Sequence, residues 1–339
     1  MKYNLDKNIK ILLFIMFVIL VSKITWFSKS DRKEINNKKS FTYILKDNNN
    51  IYKELFQLYI ENREKFYFKG REYIMKKIGM KYNESNLLSI QDKLNYLLIH
   101  ESPENKTEIV DKILLRSYSK KIIGEDICVP ILKVYKDIED INLDELPDKF
   151  VLKCNHGSAM NIICENKSNF DLPKAKNKLK YWMNINYGLF SFEYQYLNVK
   201  RKVFAEKFLE NDIINYKFSC FNGVPKFIRV KGNINGTNLY NIYHVNWTIA
   251  NIELSNEKYF LTTIFKKPIN IHKMIKYAKL LSSDFCYCRV DFYEVEGIVY
   301  LGEITFTPFN AFMKYKKKEM EIYLGNLINI SNIKRNKQK

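Results

Sequence analysis

Residues 288–308 read CRVDFYEVEGIVYLGEITFTP, and this stretch decides the fold. Val-Asp-Phe-Tyr-Glu-Val and Ile-Val-Tyr-Leu-Gly-Glu-Ile-Thr-Phe are runs of β-branched and aromatic residues on either side of Glu296-Gly297, the pattern of a β-hairpin closed by a short turn. Arg289 and Asp291 sit on the first run, Glu303 and Thr305 on the second, so one side of the hairpin carries an arginine, two carboxylates and a hydroxyl. Carboxylates facing each other across paired strands repel unless a cation lies between them, which points to a Mg²⁺ site. A solvated strand face is the plainer alternative.

Working outward, the chain of 339 residues is long enough for two or three subdomains with their own cores. Its formal charge of +19 favours anionic partners such as nucleotide phosphates, nucleic acid, anionic lipid or acidic polysaccharide, without choosing among them. The six cysteines (Cys128, Cys154, Cys164, Cys220, Cys286 and Cys288) have neither zinc-type pairing nor dense disulfide spacing, so reduced, buried thiols on the cytosolic side of a membrane are expected.

The strongest apolar run is residues 11–21, ILLFIMFVILV, with Lys2, Lys7 and Lys10 before it and Lys23, Lys29, Arg32, Lys33, Lys38 and Lys39 after it. It suits an uncleaved anchor, extended by Ile24, Trp26 and Phe27. The excess of basic residues after it holds the rest of the chain in the cytoplasm by the positive-inside rule. A cleaved export signal is the alternative. The expected organisation is an anchor over 1–27, a linker over 28–45, a helical region over 46–125, a main domain over 126–330 and a basic tail over 331–339.

Spacings of three and four at Leu55, Leu58, Tyr59 and at Tyr73, Ile74, Ile78 predict helices. Residues 87–98 predict another, started by Ser89 with Asp92 three residues on. The stretch IVDKILLRSYSKKIIG predicts a single helix with Lys112 and Arg116 one turn apart, closed by Gly124. Residues 149–153 form a strand that ends in Cys154-Asn155-His156-Gly157-Ser158 before alternation resumes at 161–164. Such a loop can close its backbone N–H groups on phosphates, although it lacks the Gly-Lys-Ser/Thr of a Walker loop. Taken alone, Lys112 and Arg116 also suit a solvated basic face, and His156 an ordinary loop histidine. Helix over 171–198, an aromatic-rich stretch at 187–196, a strand at 203–209, a hairpin about Asn222-Gly223 and a helix from 271 to 281 complete the reading.

These segments, in this order, resemble the TupA-like ATP-grasp family, linked to cell-surface polysaccharide biosynthesis. The matches are DKILLR at 111–116, LPDKFVLKCNHGS at 146–158, NIIC at 161–164, AEKFL at 205–209, YKFSCFNG at 216–223, RVDFYEVEG at 289–297 and GEITFTP at 302–308. The resemblance covers about 70–315 and implies an α+β ATP-grasp fold, two subdomains gripping ATP, with the helical region and membrane anchor before it. It implies that Lys112 and Lys153 neutralise the α- and β-phosphates of ATP. His156, Gly157 and Ser158 then fall in the mobile loop over the β- and γ-phosphates. Glu206, Lys207 and Leu209 match the hinge that holds adenine, and Asp212 is the candidate for the ribose hydroxyls. Asp291, Glu303 and Thr305 match the Mg²⁺ ligands, while Arg289, with Lys153, would stabilise the transferring phosphoryl group. Two departures stand out: Ala159 where the family loop has a second Gly, and Phe309-Asn310-Ala311 where the family has small residues.

The implied activity is an ATP-dependent carboxylate–amine ligase, with ATP and Mg²⁺ as cofactors and a small-molecule or lipid-linked glycan as substrate. A glycosyltransferase of the same pathway is the alternative, against which stands the lack of Asp-x-Asp beside a predicted strand. A basic protein binding nucleic acid or anionic glycan is a third class, with no nucleic-acid motif to carry it.

Overall fold

A computed structural model of the chain describes residues 55, 57–101, 103–210, 212–234, 236–255, 264–331 and 333. The apolar run at 11–21 and the tail at 334–339 lie outside these residues. No helix among the described residues is long and apolar enough to cross a membrane.

The chain forms two compact units, Met1–Tyr82 and Asn83–Lys339. In the first, α1 (Arg63–Lys77) starts where the Asn62 side chain accepts from Lys65 N at 3.0 Å, and it carries Lys76 and Lys77 in its last turn, where the helix dipole favours cations.

The second unit opens with α2 (Ile90–His100). The Ser89 hydroxyl accepts from Asp92 N at 3.1 Å and Asp92 Oδ2 accepts from Ser89 N at 2.9 Å, the reciprocal cap that the sequence suggests. The next stretch departs from expectation. Instead of one helix there are two, α3 (Glu104–Val110) and α4 (Leu115–Ile123). Asp111 turns the chain between them, its Oδ1 accepting from Ile113 N at 2.8 Å and Leu114 N at 3.3 Å. Lys112 therefore sits in a turn, and the expected shared helical face with Arg116 does not exist. Arg116 donates instead to Val129 O at 2.6 Å and pairs with Asp126.

Two antiparallel sheets follow. The smaller holds β1 (Ile131–Tyr135), β2 (Phe150–Cys154), β3 (Asn161–Cys164) and β4 (Val203–Lys207) in the order β1-β4-β2-β3. Its core forms as α5 (Leu172–Met183) brings Ala175 and Leu179 against Phe150, Leu152 and Ala205. The expected helix over 171–198 stops at Met183, and only a short α6 (Tyr187–Ser191) and a single 3-10 turn at Tyr194–Tyr196 continue it.

The larger sheet holds β5 (Asn215–Phe221), β6 (Val224–Ile234), β7 (Thr237–His244), β8 (Tyr287–Val295) and β9 (Ile298–Thr305) in the order β7-β6-β5-β8-β9. Its hairpin turns have left-handed central residues, Asn222 and Gly223 at φ 49° and 77°, Glu296 and Gly297 at 52° and 75°. That geometry matches strand twist, which is why Asn-Gly and Glu-Gly mark these turns.

Period-2 alternation sorts this sheet into two faces. Phe218, Ile228, Val290 and Ile304 pack into the main core with Met274, Ala278 and Leu281 of α7 (Ile271–Ser282). Met274 and Leu281 are fully buried, each such side chain contributing about 1.5–3 kcal/mol. The opposite face is covered at one end by Ile90, Leu94 and Leu97 of α2 and Leu324 of α8 (Lys318–Asn326), which meet Phe221, Phe227 and Tyr287. Lys217 of β5, Arg289 and Asp291 of β8 and Glu303 of β9 line the rest of that face.

Candidate active site

Asp291 and Glu303 are Cα partners across β8 and β9, and Lys217 is the partner of Asp291 across β5 and β8. The three form one row on the sheet face. A register shift between Asp291 and Phe292 brings Glu303 opposite Asp291 and leaves Gly302 as the extra residue of a bulge. The Tyr293 ring lies over Gly302 so closely that a Cβ there would come within 2.7 Å of it.

The charges in this row are answered by neighbouring side chains. Arg289 Nε and Nη2 donate to Asp291 Oδ1 and Oδ2 at 2.6 and 2.7 Å, and Nη2 also reaches Glu303 Oε1 at 3.0 Å. Lys217 pairs with Asp291 Oδ2. Thr305 Oγ1 donates weakly to Glu303 Oε1 at 3.4 Å. The opposed carboxylates thus need no metal to coexist, because the strands themselves supply two cations. Burial pushes the Glu303 carboxyl up, but Lys112, Arg289 and Lys217 outweigh it and hold the group at about 2. Burial pulls the Lys217 ammonium down, with Asp291 opposing that pull.

From the smaller sheet, Lys153 on β2 pairs with Glu206 on β4. Lys112 Nζ donates to Gly157 O at 2.6 Å. Its ammonium is lowered by burial, then raised by Glu303 of the larger sheet and lowered by Lys153. Lys112, in the turn after α3, is thus within electrostatic reach both of Lys153 and Glu206 on the smaller sheet and of Glu303 on the larger, where Arg289 and Asp291 adjoin it. Asn155 braces the loop: its Nδ2 donates to Asp111 Oδ2 at 2.8 Å and to Lys200 O at 2.9 Å, and its Oδ1 accepts from Lys202 N at 2.7 Å.

The loop after β2 is packed at one point and open at the next. Gly157 is buried, and a Cβ there would meet Met160 and Tyr187 at 2.8 Å, while Ser158 is exposed. Ala159 adopts φ 58°, a left-handed conformation that glycine takes without penalty. His156 is fully buried, with Nε2 donating to Trp182 O at 3.1 Å, and burial lowers its imidazole to about 4. Its ring faces α5 and stands behind the loop.

The expected hinge begins on β4, where Glu206 and Lys207 pair with Val151 and Phe150. Lys207 N donates to Pro130 O at 2.9 Å, and Leu209 follows beyond the strand. Asp212 is exposed at φ 53°.

Asp291, Glu303 and Thr305 fit a hard cation as part of its shell. No group of three or more His, Cys, Asp or Glu able to hold a metal occurs among the described residues. Mg²⁺ that bridges phosphates needs only one or two carboxylates, however, and Glu303 stays anionic at any ordinary pH. Both Asp291 oxygens already accept from cations, Oδ2 from Arg289 and Lys217 and Oδ1 from Arg289 alone, which leaves a lone pair of Oδ1 for a metal.

Two features escaped the sequence reading. Lys217 lies in YKFSCFNG, yet nothing local distinguishes it from a solvated strand lysine. Behind the site, a buried cluster joins α6 to the end of β9: Thr307 Oγ1 donates to Glu193 Oε1 at 2.5 Å and accepts from Gln195 Nε2 at 2.8 Å, and Asn310 Nδ2 donates to Ser191 O at 2.7 Å. Tyr187 and Tyr196 meet edge to face at 5.1 Å there. The aromatic density of 187–196 was the available signal.

Among solved structures, the chain is similar to the D-alanine–D-alanine ligase of Bacillus anthracis complexed with ATP, at 18% identity over 69% of this chain and 70% of that one, TM-score 0.35. It is also similar to the D-alanine–D-alanine ligase of Helicobacter pylori, at 15% over 71% and 68%, TM-score 0.36. A third similarity is to the N5-carboxyaminoimidazole synthetase of Staphylococcus aureus, at 15% over 60% of this chain, TM-score 0.34. The chain spans about half, 46%, of that last protein's length. No curated protein matches it. A family profile described as TupA-like ATPgrasp matches residues 92–329, a span that contains both sheets and every charged residue of the site. The chain belongs to the TupA-like ATP-grasp family.

Proposed function

We propose that this protein is an ATP-dependent carboxylate–amine ligase acting in the biosynthesis of a surface polysaccharide. The observation that carries the reading is the meeting of two charge sets: Lys112 from the turn after α3 and Lys153 from the smaller sheet, Arg289, Asp291, Glu303 and Lys217 from the larger. Phosphoryl transfer asks for cations and metal ligands held in place around spread negative charge, with little covalent work by the protein. Asp291, Glu303 and Thr305 would hold Mg²⁺, whose charge would offset that of the phosphates. Arg289 and Lys153 would meet the transferring phosphoryl group, Lys112 the remaining phosphates, and Glu206, Lys207, Leu209 and Asp212 the nucleoside.

A substrate carboxylate oxygen attacks the γ-phosphorus and ADP leaves. An amine then attacks the resulting acyl phosphate, expelling phosphate and forming an amide. The family match favours this chemistry over a glycosyltransferase. A lipid-linked glycan substrate and a cytoplasmic position at a membrane are supported by the apolar run at 11–21 and the basic residues that follow it. The test is ADP and phosphate release by the full chain with Asp291→Asn and Glu303→Gln beside it. Release that survives both substitutions removes the metal assignment.

A further inference from the structure

The charged row continues past Lys217. Arg229 on β6 is the register partner of Lys217, so the order across the sheet is Glu303, Asp291, Lys217, Arg229: two anions, then two cations. With neighbouring strands about 4.8 Å apart, the Arg229 backbone stands roughly 10 Å from that of Asp291. Lys217 is the lysine that answers Asp291. Arg229 extends the positive end of the row into a different part of the sheet.

There the face encloses a cavity of about 40 Å³. Arg229 and Arg289 both line it, Ser219 stands on the strand between them, and most of the remaining wall is apolar, including Phe227, Tyr287 and Phe309. A space of this size takes a carboxyl group or one or two waters. Arg289 is already paired with Asp291 and Glu303, so in so apolar a wall it is the Arg229 guanidinium that favours an anionic end group, because charge-assisted, bidentate hydrogen bonds offset its loss of water.

A strained segment holds the wall in place. Phe309, Asn310 and Ala311 adopt φ 53°, 56° and 58° in succession, a left-handed turn built without glycine. A side chain takes this conformation only at a cost, so the surrounding structure must enforce it. Asn310 Nδ2 donates to Ser191 O at 2.7 Å and Phe312 N to Phe309 O at 3.1 Å. The outcome is a half-exposed Phe309 whose ring centroid lies 5.3 Å from the Arg229 guanidinium, with Tyr240 at 4.9 Å. Both rings lie within cation–π reach of the one guanidinium.

Resting on the ligase reading above, we infer that Arg229 anchors a carboxylate end group of the co-substrate, so that the enzyme takes an acidic molecule with its reacting group toward Arg289. That carboxylate can belong to the acid that is phosphorylated, which is then a diacid, or to the amine that attacks, which is then an amino acid.

Calorimetric titration of the full chain with Mg·ADP present tests this, using glutarate, γ-aminobutyrate and, as a control, butyrate. The variants are Arg229→Gln, Arg229→Lys and Phe309→Ala, with nucleotide-induced thermal stabilisation checking that each is folded. Wild type is expected to bind glutarate or γ-aminobutyrate at least tenfold more tightly than Arg229→Gln, with Arg229→Lys between and ADP affinity unchanged. Preference for glutarate identifies the donor, and preference for γ-aminobutyrate the acceptor. Equal affinities in wild type and Arg229→Gln overturn the inference, as does the failure of both probes to saturate wild type. Because the readout is binding, Arg229-dependent binding without ADP release would remove the ligase and keep the anchor. Turnover with an unchanged KM in Arg229→Gln would do the reverse.

Discussion

Lys217 lies directly opposite Asp291 across β5 and β8, and its ammonium pairs with the Asp291 carboxylate, which is 1% exposed. Arg289 donates to both oxygens of the same carboxylate. Replacing Lys217 by Gln leaves a buried anion with one cationic partner instead of two. The expected cost is about 2 kcal/mol, less than for a fully orphaned charge because Arg289 remains. Thermal unfolding checks the stability loss, and ADP release checks that turnover falls with it.

Gly302 sits under the Tyr293 ring at the bulge that sets Glu303 against Asp291. Gly302→Ala forces a methyl group to within 2.7 Å of that ring, so ring or strand must move. A destabilisation of about 1–3 kcal/mol is expected from overpacking. If the strand is what moves, the Mg²⁺ concentration needed for half-maximal turnover rises while the KM for ATP changes little. Magnesium titrations of both proteins read this directly.

Ala159 carries φ 58° in the loop after β2. Ala159→Gly relieves a conformation that costs an L side chain about 1–2 kcal/mol, offset in part by the greater freedom of glycine in the unfolded chain. Urea denaturation should show a net gain below about 1 kcal/mol. Ala159→Val, β-branched at the same angle, should show a clear loss.

His156 gives the fold a pH dependence of defined sign. Its imidazole is lowered by burial to about 4, from 6.5 in the unfolded chain, so between those values the unfolded state binds the proton more readily. The stabilisation from keeping it neutral is complete above pH 6.5 and is lost as pH falls toward 4. Stability measured by urea at pH 7 and pH 4.5 should differ by about 2–3 kcal/mol more in wild type than in His156→Gln, from this group alone. An unchanged difference would show that the ring is solvated in solution.

Much of the fold was legible because local chemistry dictates it. The Asn222-Gly223 and Glu296-Gly297 turns, the Ser89 cap and α7 each rest on contacts between residues close in sequence. The break at Asp111 was not legible, since a side chain that caps two backbone N–H groups competes with a helix whose apolar spacing runs through it. The same holds for 184–198, where aromatic residues at helical spacing serve a buried polar cluster instead.

By itself the sequence determined the hairpin at 288–308, its turn, and the placing of Arg289 with Asp291 and Glu303 with Thr305, because strand alternation and turn preference act over a few residues. It also determined the ordered motifs that carry the family. Only the tertiary structure decided which cations meet those carboxylates. Lys217 and Arg229 join the row through register between strands distant in sequence, while Lys112 approaches Glu303 from the turn after α3 and Lys153 stands beside Lys112 on the other sheet. Those pairings depend on a β-bulge and on packing between elements, neither of which any short stretch of residues encodes.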